Sequence, residues 1–173
     1  MLILNNDSTH EPGLVSIGLV NPKSASNVAS ILRAGGCYGI SSVFYTGQRF
    51  RRAKDFNQDT KGVRFKIPTI GVDDLFEFMP HGATPVAVEI SEQAQPLPEF
   101  EHPDNAYYIL GPEDGSIPLK VVKQCSHIVY VPTFTSMNLA ATANVLLYDR
   151  LAKRGYVHSK AFIRKSRDNN NRL

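Results

Sequence analysis

The apolar positions of this chain fall into short β-type runs separated by stretches with helical spacing. Leu14-Val15-Ser16-Ile17-Gly18-Leu19-Val20 reads as a buried strand, and Ser42-Val43-Phe44-Tyr45 as a second. Between them Asn21-Pro22-Lys23-Ser24 is a turn. Ser26 or Asn27 can cap a helix running to about Tyr38, with Val28, Ile31 and Leu32 on its apolar face. The basic stretch from Arg51 to Lys61 reads as loop or short helix, followed by a short strand near Phe65–Ile70 and a helix near Asp73–Met79. Pro85–Ile90 is a further strand, and the Pro-, Glu- and Gln-rich segment from Ser91 to Asn105 a connecting loop.

A strand through Tyr107–Leu110 then enters Gly111. A helix from about Pro118 to Gln124 follows, with Pro118 in its first turn, and then a strand through Ile128–Val131 into Pro132. Leu139, Ala143, Leu146, Leu147 and Leu151 keep helical spacing up to the stop signal Lys153-Arg154-Gly155. The tail from Ser166 to Leu173 is polar and expected to fray. Strands alternating with helices predict an α/β domain with a mostly parallel sheet flanked by helices. No repeat or break in composition divides the chain, so residues 1–173 are expected to form a single domain.

Composition changes this picture little. The chain has 173 residues, 42% of them hydrophobic, which suits one folded domain with a real core. No apolar run approaches the roughly 20 residues of a membrane span, and the N-terminus has no signal-peptide pattern. A cytoplasmic protein without membrane contact is expected. Cys37 and Cys125 are read as two buried free thiols, and the five histidines show no metal-ligand spacing. The net charge is only +3, but the basic residues cluster. Arg49, Arg51, Arg52 and Lys54 form one group, continued by Lys61, Arg64 and Lys66. Lys153, Arg154, Lys160, Arg164, Lys165, Arg167 and Arg172 form another. Two such groups with aromatics between them point to a polyanionic partner.

The chain has no G-x-x-x-x-G-K-[ST] phosphate loop, no G-x-G-x-x-G fingerprint and no G-x-S-x-G elbow. Three polar constellations remain. Ser26, Ser30 and Arg33 share the polar side of the first helix, with Asn27 at its start. Glu113 follows Gly111-Pro112 directly after a buried strand. Ser136 and Asn138 precede the apolar C-terminal helix, where a helix cap is the plain explanation.

In order, these segments resemble the SpoU/TrmH branch of the SPOUT RNA methyltransferases. Asn27 and Arg33, in Asn27-Val28-Ala29-Ser30-Ile31-Leu32-Arg33-Ala34, match its first motif, and Leu110-Gly111-Pro112-Glu113-Asp114-Gly115 its second. Val131-Pro132, Ser136-Met137-Asn138 and Leu147-Tyr148-Asp149 match its third. Arg51-Arg52-Ala53 resembles a basic stretch common in the family. The chain departs from the pattern in a short Pro132–Ser136 loop, in Ala29 where glycine is frequent, and in Ala141 where serine is frequent.

The resemblance implies a C-terminal deep trefoil knot, a homodimer, and transfer of a methyl group from S-adenosylmethionine to a ribose 2′-hydroxyl of tRNA or rRNA. It places the cofactor against Leu110, Gly111, Val131, Pro132, Ser136, Met137 and Asn138. Arg33, Asn27 and Glu113 are then the catalytic candidates, and Arg49, Arg51, Arg52 and Lys54 the RNA-binding ones. A guanidinium stays protonated in proteins, so Arg33 is expected to act electrostatically on a phosphate and on the reacting oxygen rather than as a base. No separate RNA-binding domain is expected. The alternatives are an RNA-binding module of the same fold without methyl transfer, and a different nucleotide-using α/β enzyme.

Overall fold

The structure is a computed structural model that describes residues 13–53, 66–156 and 158–167. Its element order is β1 (Val15–Leu19), α1 (Ala25–Tyr38), β2 (Ser42–Tyr45), α2 (Arg49–Ala53), β3 (Thr69–Gly71), β4 (Thr84–Val88), β5 (Gln95–Pro96), β6 (Ala106–Leu110), α3 (Leu119–Val122), β7 (His127–Tyr130), α4 (Leu139–Arg154) and α5 (Lys160–Ser166). The strands form one seven-stranded sheet in the order β3-β2-β1-β6-β4-β7-β5. Every pairing is parallel.

Parallel sheets need cover on both faces, so their strands are apolar on both sides. All five residues of β1 and of β6 are buried. Alternation in β6 then feeds two cores. Ala106, Tyr108 and Leu110 join Val15, Ile17 and Leu19 under Val28, Ile31 and Leu32 of α1 and Ala143, Leu146 and Leu147 of α4. Tyr107 and Ile109 face the opposite way, among Phe44, Leu75, Ala87 and Ile117. With Tyr107, Tyr108 and Leu110 each at most 1% exposed, β6 is the spine of the molecule.

Several elements differ from the sequence reading. Ser24, rather than Ser26 or Asn27, caps α1, its hydroxyl accepting the N–H of Asn27 at 3.3 Å. Residues 73–79 form turns and not a helix: the Asp74 carboxylate takes the Phe76 N–H at 2.8 Å, an alternative to helical bonding that short acidic side chains offer. The segment from Ser91 to Asn105 is not only a loop. It contains β5 and a 3-10 turn, Leu97–Glu99, and Pro96 is tolerated because β5 is an edge strand.

Pro118 sits at the N-cap of α3, one residue before its first turn. On α4 the buried face includes Arg150 in place of Leu151, which is 37% exposed. Cys37 is exposed and Cys125 half-buried, so only the expectation of free thiols holds. The strand expected near residues 65–70 begins at Thr69. The side chain of Arg52 and all of Lys54, Lys61 and Arg64 lie outside the described residues, as does the tail beyond Arg167.

Arg150 is buried because acceptors meet it. Its guanidinium donates to the carbonyls of Pro103 at 2.5 Å and Asp104 at 2.6 Å, and to the Tyr108 hydroxyl at 3.3 Å. Tyr108 lies 2.6 Å from His102 Nδ1, and His102 Nε2 lies 2.9 Å from Asp149. A carboxylate only accepts, so Nε2 carries the hydrogen and the Tyr108 hydroxyl donates to Nδ1. Lys153 bonds Asp149 at 2.7 Å and the carbonyls of Leu97 and Phe100. Arg154 pairs with Asp104. The end of α4 is thereby fastened to residues 97–104.

Candidate functional site

The strands β4, β6 and β7 end side by side, and a cavity of about 380 Å³ opens beyond their carboxyl ends. Open α/β sheets bind ligands at such an edge, and this volume is within the range of small-molecule sites. Its walls come from Val88, Glu89 and Ile90 at the end of β4, Leu110 to Glu113 at the end of β6, and Tyr130, Val131 and Thr133 at the end of β7. Asn27 of α1 and the stretch Ser136–Leu139 at the head of α4 close it.

Three residues far apart in sequence meet at one corner. The Asn27 amide donates to Glu113 Oε1 at 2.9 Å, and the Asn138 amide donates to Asn27 Oδ1 at 3.1 Å. Asn138 Oδ1 in turn accepts the N–H groups of Ala140 at 2.9 Å and Ala141 at 3.3 Å. Asn138 is therefore the N-cap of α4 and a link to α1 at once. Glu113 also takes the N–H of Lys23 at 2.7 Å and of Ser24 at 2.9 Å, which fixes the turn that starts α1. Burial pushes the Glu113 carboxyl up, but the bonds from Asn27, Lys23 and Ser24 outweigh it and hold the group below the usual carboxylate range.

Gly111 is a close approach. A Cβ there would stand 3.2 Å from both Cγ1 and the backbone nitrogen of Ile117, at the cavity wall. A larger residue there would press on the Ile117 loop beside the cavity.

Of the residues singled out from sequence, the cavity brings together Asn27, Glu113, Leu110, Gly111, Val131, Ser136, Met137 and Asn138. Pro132 is exposed and outside the wall. Arg33 is exposed on α1 and also outside it, with no described hydrogen-bond or ionic partner. Arg49 is taken by Asp114 through two bonds of 2.9 Å, with Lys23 3.5 Å from the same carboxylate. The bond to Arg49 holds the Asp114 carboxyl below its usual range. Arg51 is exposed.

Val88, Glu89, Ile90, Tyr130, Thr133 and Thr142 line the cavity and were not singled out. The signal for Glu89 was weaker than for Glu113: the acid follows a buried run directly, without the Gly-Pro loop that precedes Glu113. Among the described residues no group of histidines, cysteines and acids could hold a metal ion, and no helix is long and apolar enough to cross a membrane.

Residues 14–148 match the model of the SpoU rRNA methylase family. Among solved structures, the chain is similar to the TrmH/SpoU tRNA modifying enzyme of A. aeolicus at 20% identity and a TM-score of 0.72, covering 81% of this chain and 75% of that one. The SpoU methyltransferase AviRb from Streptomyces viridochromogenes gives 18% identity and 0.70, covering 83% of this chain and 61% of that one. AviRb is also known in complex with AdoMet. A structure concerned with 2-OH methylation of C/U34 on tRNA gives 19% and 0.65, covering 83% of this chain and 98% of that one. These likenesses show the fold. No curated protein matches the chain.

Proposed function

Because the chain belongs to the SpoU rRNA methylase family, we propose that it methylates a ribose 2′-hydroxyl of tRNA or rRNA with S-adenosylmethionine. The observation that carries this reading is the bonded corner of Asn27, Glu113 and Asn138, which joins the three sequence motifs at one cavity. The residues present fit the cofactor. The cavity has the size for a nucleoside, apolar walls at Leu110, Val131 and Leu139, and polar groups of Asn27, Glu89 and Thr142 along them.

The cofactor supplies an electrophilic methyl group on a sulfonium. The chain supplies position, which accounts for much of the rate when nucleophile, carbon and leaving sulfur must align. Backbone groups of Leu110, Gly111, Val131, Ser136 and Met137 hold the nucleoside. Glu113 acts through Asn27: it fixes the start of α1 and the amide that faces the cavity.

Arg33 stands six residues beyond Asn27, which turns it roughly 120° around the helix and about 9 Å along it. A side chain so placed serves RNA bound over a second copy, where its charge holds a phosphate and stabilises the developing 2′-oxyanion. Exposed Val145, Tyr148 and Leu151 on α4, which packs on α1, support a homodimer through this face. The order of the sheet, with β7 inserted between β4 and β5, supports a knotted threading of the C-terminal part. Arg51 and the basic α5, with Lys160, Arg164 and Lys165, supply charge for RNA.

The test is methyl transfer to total tRNA and total rRNA with mapping of the product nucleotide. Arg33→Ala is expected to lower turnover about 100-fold or more with an unchanged melting temperature. Unchanged turnover removes Arg33 from the mechanism. Mixing Arg33→Ala with Asn27→Ala subunits is expected to restore part of the activity. RNA binding without any cofactor binding would make the chain an RNA-binding module instead.

A further inference from the structure

The cavity holds a second carboxylate that the bonded corner does not use. Glu89 follows β4 directly; its Oε1 accepts the N–H of Ile90 at 3.0 Å and its Oε2 the N–H of Ile117 at 2.8 Å. A Cβ on Gly111 would stand 3.5 Å from Oε2, so the carboxylate lies beside the glycine that ends β6. Two backbone donors occupy two of about four acceptor sites on an ionised carboxylate. The others are free, and the side chain lines the cavity. Glu113 has less to spare, since three donors from Lys23, Ser24 and Asn27 already reach it.

Among the described residues the walls contain no lysine, arginine or histidine, and the charged residues in them are Glu89 and Glu113. Such a cavity disfavours phosphate and selects ligand groups that bring their own hydrogens. The vicinal hydroxyls of a ribose present two donors side by side, and an acidic residue beyond a strand end is a general means of accepting them. We infer that Glu89 accepts the ribose 2′,3′-diol of the nucleoside cofactor and so sets selectivity for an unphosphorylated ribose. This rests on the cofactor reading above. Fixed by Ile90 and Ile117, the carboxylate needs no reordering to take up the diol, and its negative charge strengthens each bond it accepts.

Calorimetric titration of the full chain with S-adenosylhomocysteine, its 2′-deoxy and 3′-deoxy counterparts, and 5′-methylthioadenosine tests the inference. On the natural chain at least one deoxy ligand is expected to bind about tenfold more weakly, and Glu89→Gln to cost S-adenosylhomocysteine about tenfold in Kd. On Glu89→Gln the deoxy penalty is expected to fall below about threefold, because the partner of the missing hydroxyl has already been weakened. Methylthioadenosine keeps the diol and lacks the ammonium, so it is expected to be as sensitive to Glu89→Gln as S-adenosylhomocysteine. An equal loss for all four ligands would show that Glu89 only supports the Ile117 loop and would overturn the inference. No loss at all overturns it too. A loss confined to the ligands with an ammonium assigns Glu89 to that group and overturns the diol. Failure of every ligand on the natural chain overturns the cofactor reading and the inference with it.

Discussion

Two polar networks grip α4 at its opposite ends, and they differ in what they leave unspent. At the head, Asn138, Asn27 and Glu113 join the start of α4, the first turn of α1 and the loop after β6 through two neutral amides and an exposed carboxylate, at the edge of a cavity. Near the tail, Arg150, Tyr108, His102 and Asp149 form a chain bonded to one another and to two backbone carbonyls, with His102 and Arg150 each 7% exposed. The two use similar chemistry. The tail network is closed and serves the fold; the head network faces space, and its groups can be completed by a ligand. A polar cluster is evidence of a site only when some of its bonding capacity points into a cavity, which is why the bonded corner carries the functional argument and the more heavily bonded tail does not.

Mutation should separate the two. The largest effect is expected from Arg150→Met. It strands the carbonyls of Pro103 and Asp104 and should cost about 3 kcal/mol or more, lowering the melting temperature by roughly 6–12 °C. Nucleoside binding at a temperature where the variant is folded should change little. Asn27→Ala is the converse: turnover should fall about 10- to 100-fold while stability changes by about 1 kcal/mol, read by methyl transfer and by thermal melting. Equal stability losses in the two variants would erase the distinction. Gly111→Ala should weaken nucleoside binding about tenfold by calorimetry, because the added methyl meets Ile117 at 3.2 Å.

The smallest effect is expected from pH. Burial, followed by the repulsion of Arg150 and Lys153, holds His102 below the usual imidazole range, against the pull of Asp149. Its contribution to stability is present above the unfolded value near 6.5 and is lost as pH falls through the lower folded value. Glu113, also depressed, contributes above the unfolded value of about 4.5 and loses that contribution as pH falls further. Acid should therefore loosen the tail of α4 before the head. His102→Gln should flatten the upper part of the stability–pH curve in chemical denaturation and leave the lower part unchanged.

The sequence was most legible where one physical cause dominates. Buried parallel strands are apolar on both faces, so β2 and β6 stand out, and α4 shows its period over 16 residues. It was least legible where a distant group decides. Residues 73–79 carry enough apolar side chains for a helix, but Asp74 bonds the Phe76 amide and Leu75 is drawn under the sheet. Arg150 carries no signal in the sequence, because nothing local says that two carbonyls wait for it. The two residues of β5 are too few to show alternation.

At the site, Asn27, Glu113 and Asn138 were each found at the end of a patterned element. Their bonding to one another could not be read, since it spans 86 and 111 positions. Glu89 falls inside the strand expected over Pro85–Ile90, whereas β4 ends at Val88 and leaves the carboxylate beyond it.

The place of β7 has a consequence for how the protein is made. β4 and β5 leave the ribosome before β7, yet β5 pairs with β7, and β7 fills the space between them. Until Tyr130 has emerged, one edge of β4 stays open and β5 has no partner. The nascent chain therefore carries an apolar strand with one open edge through synthesis of some forty further residues, an interval in which a chaperone that shields strand edges would raise the yield of folded protein.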